Sequence, residues 1–310
     1  MSAPGERLPY ERQARELIAA YRHAQRDIAA QVRAALAAGN LALVSQRQAQ
    51  LAALVALLDR LGVQTDPLAR RVVADAFAQS AAVTQLRVAR LRVDAPEIPG
   101  SFAGISQEAV VALQDSLTGR LQGARANVGR SVDDLYARAG RHAALQAVLG
   151  AQGSPRSASR AMMRDLMRDP QIRRSVMRGG AGFVDRAGRQ WGLENYADMA
   201  VRTTTRQAVV EGAKARMASH GINLARVSVS PNPCPICRPW QGRLVSLDGS
   251  TADYQGEAVA SLSSLPNGGP PMHPNCTHSL QPVATRIDAL RRELAGAAGW
   301  ASSAASAPVP

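Results

Sequence analysis

At 310 residues and 46% hydrophobic side chains, the chain is long enough to bury a core and is not disordered as a whole. Aromatic residues make up only 4%, so the core must come from Leu, Val, Ile and Ala, a composition that leans helical. The net charge of +13, carried by arginine with Lys214 as the single lysine, favours polyanionic partners such as nucleic acid or acidic protein surfaces; the plainer reading is a protein that is simply basic.

The first residues, MSAPGERLPYERQAREL, are polar and charged, and no apolar run reaches the roughly 18 residues of a membrane span. Three cysteines, an odd number, argue against a secreted disulfide framework, so a reducing cytoplasm is the expected place of folding.

Taken in order, residues 10–38 place Leu17, Tyr21, Ala24, Ile28, Val32 and Ala35 at steps of three and four, one face of a helix that should stop near Gly39-Asn40. A second stripe, Leu51, Leu54, Leu58 and Leu61, should end at Gly62. Asp66-Pro67 then reads as the N-cap and first turn of a third helix running to about Arg92. Residues 94–106, DAPEIPGSFAGIS, read as a connection, with Ser106 capping the next helix. From there Val110, Leu113, Leu117, Leu121, Ala124, Val128, Val132 and Leu135 hold helical spacing, although Gly119, Gly123 and Gly129 weaken the helix. Such a stripe packs equally well inside a bundle or against another subunit.

The polar stretch 150–160 (GAQGSPRSASR) marks the main expected boundary, followed by a helix over about 158–168. GFVDRAGRQWGL (182–193) reads as a short hairpin with Gly188 in its turn. A helix from Glu194 to about His220 should stop at Gly221, and strands are expected at 225–230, 242–247 and 279–283. The fold class is therefore α+β: a mostly α-helical N-terminal half of long amphipathic helices, then a small α+β C-terminal domain with short antiparallel strands and a zinc knuckle pair. The expected divisions are residues 1–149 (helical bundle and docking region), 150–285 (the α+β domain) and 286–310 (a short helix and disordered tail).

All three cysteines fall in two proline-rich turns, PNPCPICRPWQG (231–242) and PPMHPNCTHS (270–279). Cys234 and Cys237 form a C-x2-C knuckle, and His273 and Cys276 an H-x2-C pair. A zinc ion needs four soft or borderline ligands, usually delivered by two tight turns far apart in sequence. The first choice of metal ligands is Cys234, Cys237, His273 and Cys276, with His278 as the substitute histidine. The competing readings are reduced cysteines packed in turns, and a Cys–His nucleophilic pair, which would want an orienting carboxylate or amide. A metal here would staple a small domain rather than catalyse. Trp240 reads as a cover for this turn or the small core.

Between residues 156 and 216, thirteen basic residues face six acids, about half of the chain's excess charge. Arg164, Arg168, Arg173, Arg174 and Arg178 are the candidate contacts to nucleic-acid phosphates, sequence-independent and salt-sensitive. No reading motif accompanies them.

The string GFVDRAGRQWGLENYADMAVRTTTRQAVVEG, with WQGRLVSLDG (240–249) and NCTHS (275–279), resembles the phage minor capsid protein 2 family. The paired knuckles also resemble the Mu F-like head morphogenesis proteins. The motifs cover roughly residues 150–285. The resemblance implies a structural, low-copy head protein of a tailed phage or prophage, located in the virion head and assembled in the host cytoplasm. Its implied partners are the portal or major capsid protein, with DNA a further contact and no membrane. It implies no catalytic residues, so an enzyme is not expected. The alternative is a Cys/His-dependent hydrolase or a nuclease, such as a head maturation enzyme.

Overall fold

The computed structural model describes residues 9–38, 41–91, 101–148, 164, 168, 182–185 and 187–283. The expected boundary at 150–160, nearly all of the expected helix at 158–168 and the C-terminal tail lie outside the described residues. The elements are α1 (Pro9–Ala38), α2 (Val44–Arg90), α3 (Ser101–Val148), β1 (Gly182–Val184), β2 (Gln190–Gly192), α4 (Leu193–Ser219), β3 (Leu224–Val227), β4 (Leu244–Ser246), β5 (Asp253–Tyr254), β6 (Glu257–Ala258), β7 (Ala260–Ser261) and β8 (Leu280–Pro282). The mostly helical first half and the small strand-bearing C-terminal region are as the sequence predicts. No described helix is long and apolar enough to cross a membrane.

The chain divides into two compact units, each assembled from two separate stretches: Met1–Val72 with Gln114–Arg202, and Val73–Leu113 with Thr203–Pro310. In the first unit the α1 stripe is buried at every expected position: Leu17, Tyr21, Ala24, Ile28, Val32 and Ala35. Leu54, Leu58 and Leu61 of α2 and Leu117, Leu121, Ala124, Val128, Val132 and Leu135 of α3 are buried as well.

The expected break at Gly62 and the new start at Asp66 do not occur; α2 runs unbroken through both Gly62 and Pro67. Tertiary contacts explain the departure. Asp66 does not cap a helix but takes two hydrogen bonds of 2.8 Å from the Arg125 guanidinium. Arg125 also donates to the Tyr21 hydroxyl at 2.7 Å, and Thr65 donates to the Leu61 carbonyl at 2.6 Å. A Cβ on Gly62 would come within 2.9 Å of the Arg125 Nη2, so this glycine seats the guanidinium rather than stopping the helix. Pro67 deprives the Val63 carbonyl of its helical donor, but Val63 is 78% exposed, so water can take that place. The α3 helix also begins earlier than expected, at Ser101 instead of after Ser106, and it continues through Gly119, Gly123 and Gly129.

The hairpin forms as predicted, with Phe183 opposite Trp191 and Gly188 at φ +74°. Its turn is organised by one carboxylate: Asp185 accepts from the backbone N–H of Ala187 and Arg189 and from the Trp191 indole, each at 2.9 Å. These bonds, the indole's foremost, hold its pKa down at about 2. Tyr196 of α4 meets Phe183 and Trp191 edge-on, with centroids 5.3 and 5.6 Å away.

In the second unit a four-stranded sheet has the order β7-β4-β3-β8, with β3 antiparallel to both neighbours and β4 parallel to β7. Ala225 and Val227 of β3 join Val210, Ala213 and Met217 of α4 in one core that includes Cys237 and Cys276. Leu224, on the other face of β3, packs with Leu244 and Val259. At Gly212 of α4 a Cβ would collide with the Phe77 carbonyl of α2, so only glycine allows these helices to pack so closely. The α4 helix ends in a Schellman motif, with Ile222 N–H on the Met217 carbonyl and Gly221 N–H on that of Ala218, both at 2.9 Å.

Candidate metal centre

Strand pairing brings the two distant turns together. Because β3 and β8 are antiparallel neighbours, the chain leaving β3 and the chain entering β8 lie at the same end of the sheet. Ser228 and Ser279 extend this pairing: Ser228 N–H donates to the Ser279 carbonyl and Ser279 N–H to the Ser228 hydroxyl, each at 2.9 Å. On the other side, Val227 and Gly242 close the base of the first loop, with Gly242 N–H on the Val227 carbonyl at 2.9 Å.

Within that loop the C-x2-C spacing makes a tight turn. The Cys234 carbonyl accepts from Cys237 N–H at 3.1 Å and Arg238 N–H at 2.9 Å, and the Cys237 carbonyl then accepts from Trp240 and Gln241. Pro235 has no N–H to satisfy, and its fixed φ suits the second position of such a turn. Trp240 packs partly buried against the core, with the Arg243 guanidinium 5.8 Å from its ring centre. In the second loop Cys276 N–H bonds the His273 carbonyl at 3.1 Å. Asn275 takes the left-handed conformation, φ +62°, which asparagine tolerates. Its N–H reaches the Thr203 hydroxyl of α4 at 3.3 Å.

All five sulfur and imidazole side chains converge. His273 Nε2 lies 3.1 Å from both Cys234 Sγ and Cys237 Sγ, Cys237 Sγ lies 3.7 Å from Cys276 Sγ, and Cys276 Sγ lies 3.7 Å from His278 Nδ1. They form two triads that share Cys237: Cys234, Cys237 and His273, and Cys237, Cys276 and His278, with ligand atoms within 4.8 Å of one another in each. These groups could hold a metal ion. A tetrahedral ion with metal–sulfur bonds of about 2.3 Å sets its sulfurs about 3.8 Å apart, close to the Cys237–Cys276 separation. The two nitrogen–sulfur separations at His273 fall a few tenths of an ångström inside the corresponding edge.

The local electrostatics separate the donors. Cys234 has its pKa lowered, first by the backbone N–H of Cys237. Burial pushes the Cys237 thiol up to about 12, with the neighbouring cysteines adding to the rise. Burial lowers the pKa of His278, and the positive potential of His273 and Arg206 lowers it further. Cys237, Cys276 and His278 are all buried, the last two 3% and 2% exposed.

Of the arginines proposed to meet phosphate, Arg164 and Arg168 are exposed, and Arg173, Arg174 and Arg178 lie outside the described residues. Sequence reading named Thr203 only within the motif that carries the resemblance and did not single out Ser228; both anchor the second loop by hydrogen bonds that no spacing pattern announces.

No curated protein and no solved structure matches the chain. The sequence model of the phage minor capsid protein 2 family matches residues 9–294, so it takes in the helical half as well as the strand-bearing region that carries the quoted motifs. The chain belongs to the phage minor capsid protein 2 family.

Proposed function

We propose that this chain is a structural head-morphogenesis protein of a tailed phage or prophage. It would be present in few copies, docked on the portal or the capsid interior, and would carry a zinc-stapled C-terminal region. The observation that carries this reading is the family match along residues 9–294. Exposed apolar side chains on α2, among them Val55, Val63, Val83 and Leu86, support docking, since they offer contact surface to a protein partner. Zinc is supported by the donor set: three thiols and two imidazoles on two turns, the chemistry of closed structural sites. The ion would be held by Cys234, Cys237, Cys276 and a histidine, and would cross-link the loop after β3 to the loop before β8.

Burial also argues against one hydrolytic pairing at this site. A Cys276–His278 nucleophilic pair needs access to substrate, and both side chains are almost wholly covered. The basic stretch around Arg164 and Arg168 adds a nonspecific contact to packaged DNA, driven by counterion release.

The test is a protein inventory of purified heads. The chain should appear at a small, fixed copy number beside the portal; its absence from assembled heads overturns the role. For the DNA contact, binding to duplex DNA should weaken as salt rises, and an absent or salt-independent interaction removes it.

A further inference from the structure

Five donors stand in two triads that share Cys237, and a tetrahedral ion needs four. We infer that His278 is not a spare ligand but the hydrogen-bond donor to the Cys276 thiolate, which leaves Cys234, Cys237, Cys276 and His273 to hold the ion. This inference rests on the metal reading above and assigns the part each histidine plays in it.

The argument follows the imidazole protons. A neutral ring carries one proton, and the nitrogen that ligates a metal must be the bare one. In His273, Nδ1 lies 2.8 Å from the Pro274 carbonyl oxygen, which can only accept. The proton therefore sits on Nδ1, and the bare Nε2 points at Cys234 Sγ and Cys237 Sγ. The ring is set as a ligand by its own backbone, the outer hydrogen bond usual for a metal-binding histidine.

His278 is arranged the other way. Its Nδ1 faces Cys276 Sγ at 3.7 Å, and its Nε2 is buried with no hydrogen-bond partner among the described residues. Were Nδ1 to ligate, the proton would move to Nε2 and leave an N–H donor buried without an acceptor. Buried orphan N–H groups are rarer than buried orphan acceptors. With the proton on Nδ1, the ring instead donates to a sulfur that, as a metal-bound thiolate, only accepts. The unpaired atom is then the bare Nε2. The N–H bond would draw charge from the thiolate and make Cys276 less reactive toward electrophiles. His278 is thus a positioning residue that acts through Cys276.

The test is cobalt(II) loading of the full chain, read by its visible ligand-field bands, with the rate of iodoacetamide alkylation measured alongside. His278→Asn keeps a donor near the place of Nδ1, and His278→Leu removes it. Both variants should bind one cobalt with the wild-type three-sulfur, one-nitrogen spectrum. His278→Leu should bind about 10- to 100-fold more weakly, the range for loss of an outer partner, and alkylate faster, while His278→Asn should recover most of the difference. His273→Gln should lose the nitrogen signature. If instead both His278 variants lose that signature while His273→Gln keeps it, His278 is the ligand and the assignment is overturned. Unchanged affinity and alkylation in His278→Leu also overturns it. A wild-type chain that takes up no cobalt contradicts the metal reading itself.

Discussion

Two buried polar clusters in this molecule meet the same problem in different ways. In the first unit, Arg125 is answered within the chain: Asp66 takes both arms of its guanidinium, Tyr21 takes a further hydrogen bond, and Gly62 leaves room for it. In the second unit, three thiols and two imidazoles face one another, with a thiol pushed up to about 12 and an imidazole nitrogen left without a partner among the described residues. The first cluster is complete as it stands. The second has donor capacity that side chains alone do not use, and one ion would use it. Polar burial that is self-satisfied fixes a fold, whereas polar burial with spare lone pairs points to a ligand.

The largest expected effect falls on the second cluster. Cys237 belongs to both triads, so Cys237→Ser should lower bound zinc below half an equivalent and destabilise that unit by several kcal/mol, on the order of a lost structural site. Zinc content together with urea unfolding measures both. Arg125→Met should be milder. It leaves the Asp66 carboxylate unpaired, but that side chain is 35% exposed and water can take over part of the loss, so about 2 kcal/mol is expected. Adding Asp66→Leu should recover much of that loss, as an apolar pair often replaces a buried ion pair well, whereas no second substitution of that kind should rescue Cys237→Ser.

Two glycines sharpen the comparison on a smaller scale. Gly212→Ala puts a methyl group against the Phe77 backbone, which cannot turn aside, and should cost about 1–3 kcal/mol in thermal unfolding. Gly62→Ala meets only the tip of the Arg125 side chain, and alanine's better helix propensity offsets part of the strain, so its cost should be below that of Gly212→Ala. The smallest effect is the pH response of the hairpin. Asp185 has its pKa lowered to about 2 from 3.8, so its contribution is fully present above pH 4 and fades as pH falls through 2. Trp191 fluorescence should report the change, and Asp185→Asn should abolish it.

These elements differ in how plainly the sequence announced them. The α1 stripe, the hairpin, the stop at Gly221 and the three longer strands follow from local spacing and turn chemistry, and all are present. The continuity of α2 through Gly62 and Pro67 was hidden. The residue that makes use of Gly62 and Asp66 is Arg125, 59 positions beyond Asp66, and no local signal links them. The short β5, β6 and β7 strands of two residues each carry no periodicity to detect. In the candidate site, the C-x2-C and H-x2-C spacings named the donors. What spacing could not supply was the division into two triads sharing Cys237, because that depends on which face each side chain takes as the loops leave β3 and enter β8.

The central claim is that an ion staples the loop after β3 to the loop before β8. The most direct measurement is zinc content of the purified full-length chain, followed by near-ultraviolet circular dichroism from Trp240 before and after chelation. One zinc per chain, with that signal collapsing on chelation while helical content largely persists, is the predicted result. Less than half an equivalent of zinc, with Cys237→Ser folding like the wild type, would contradict it.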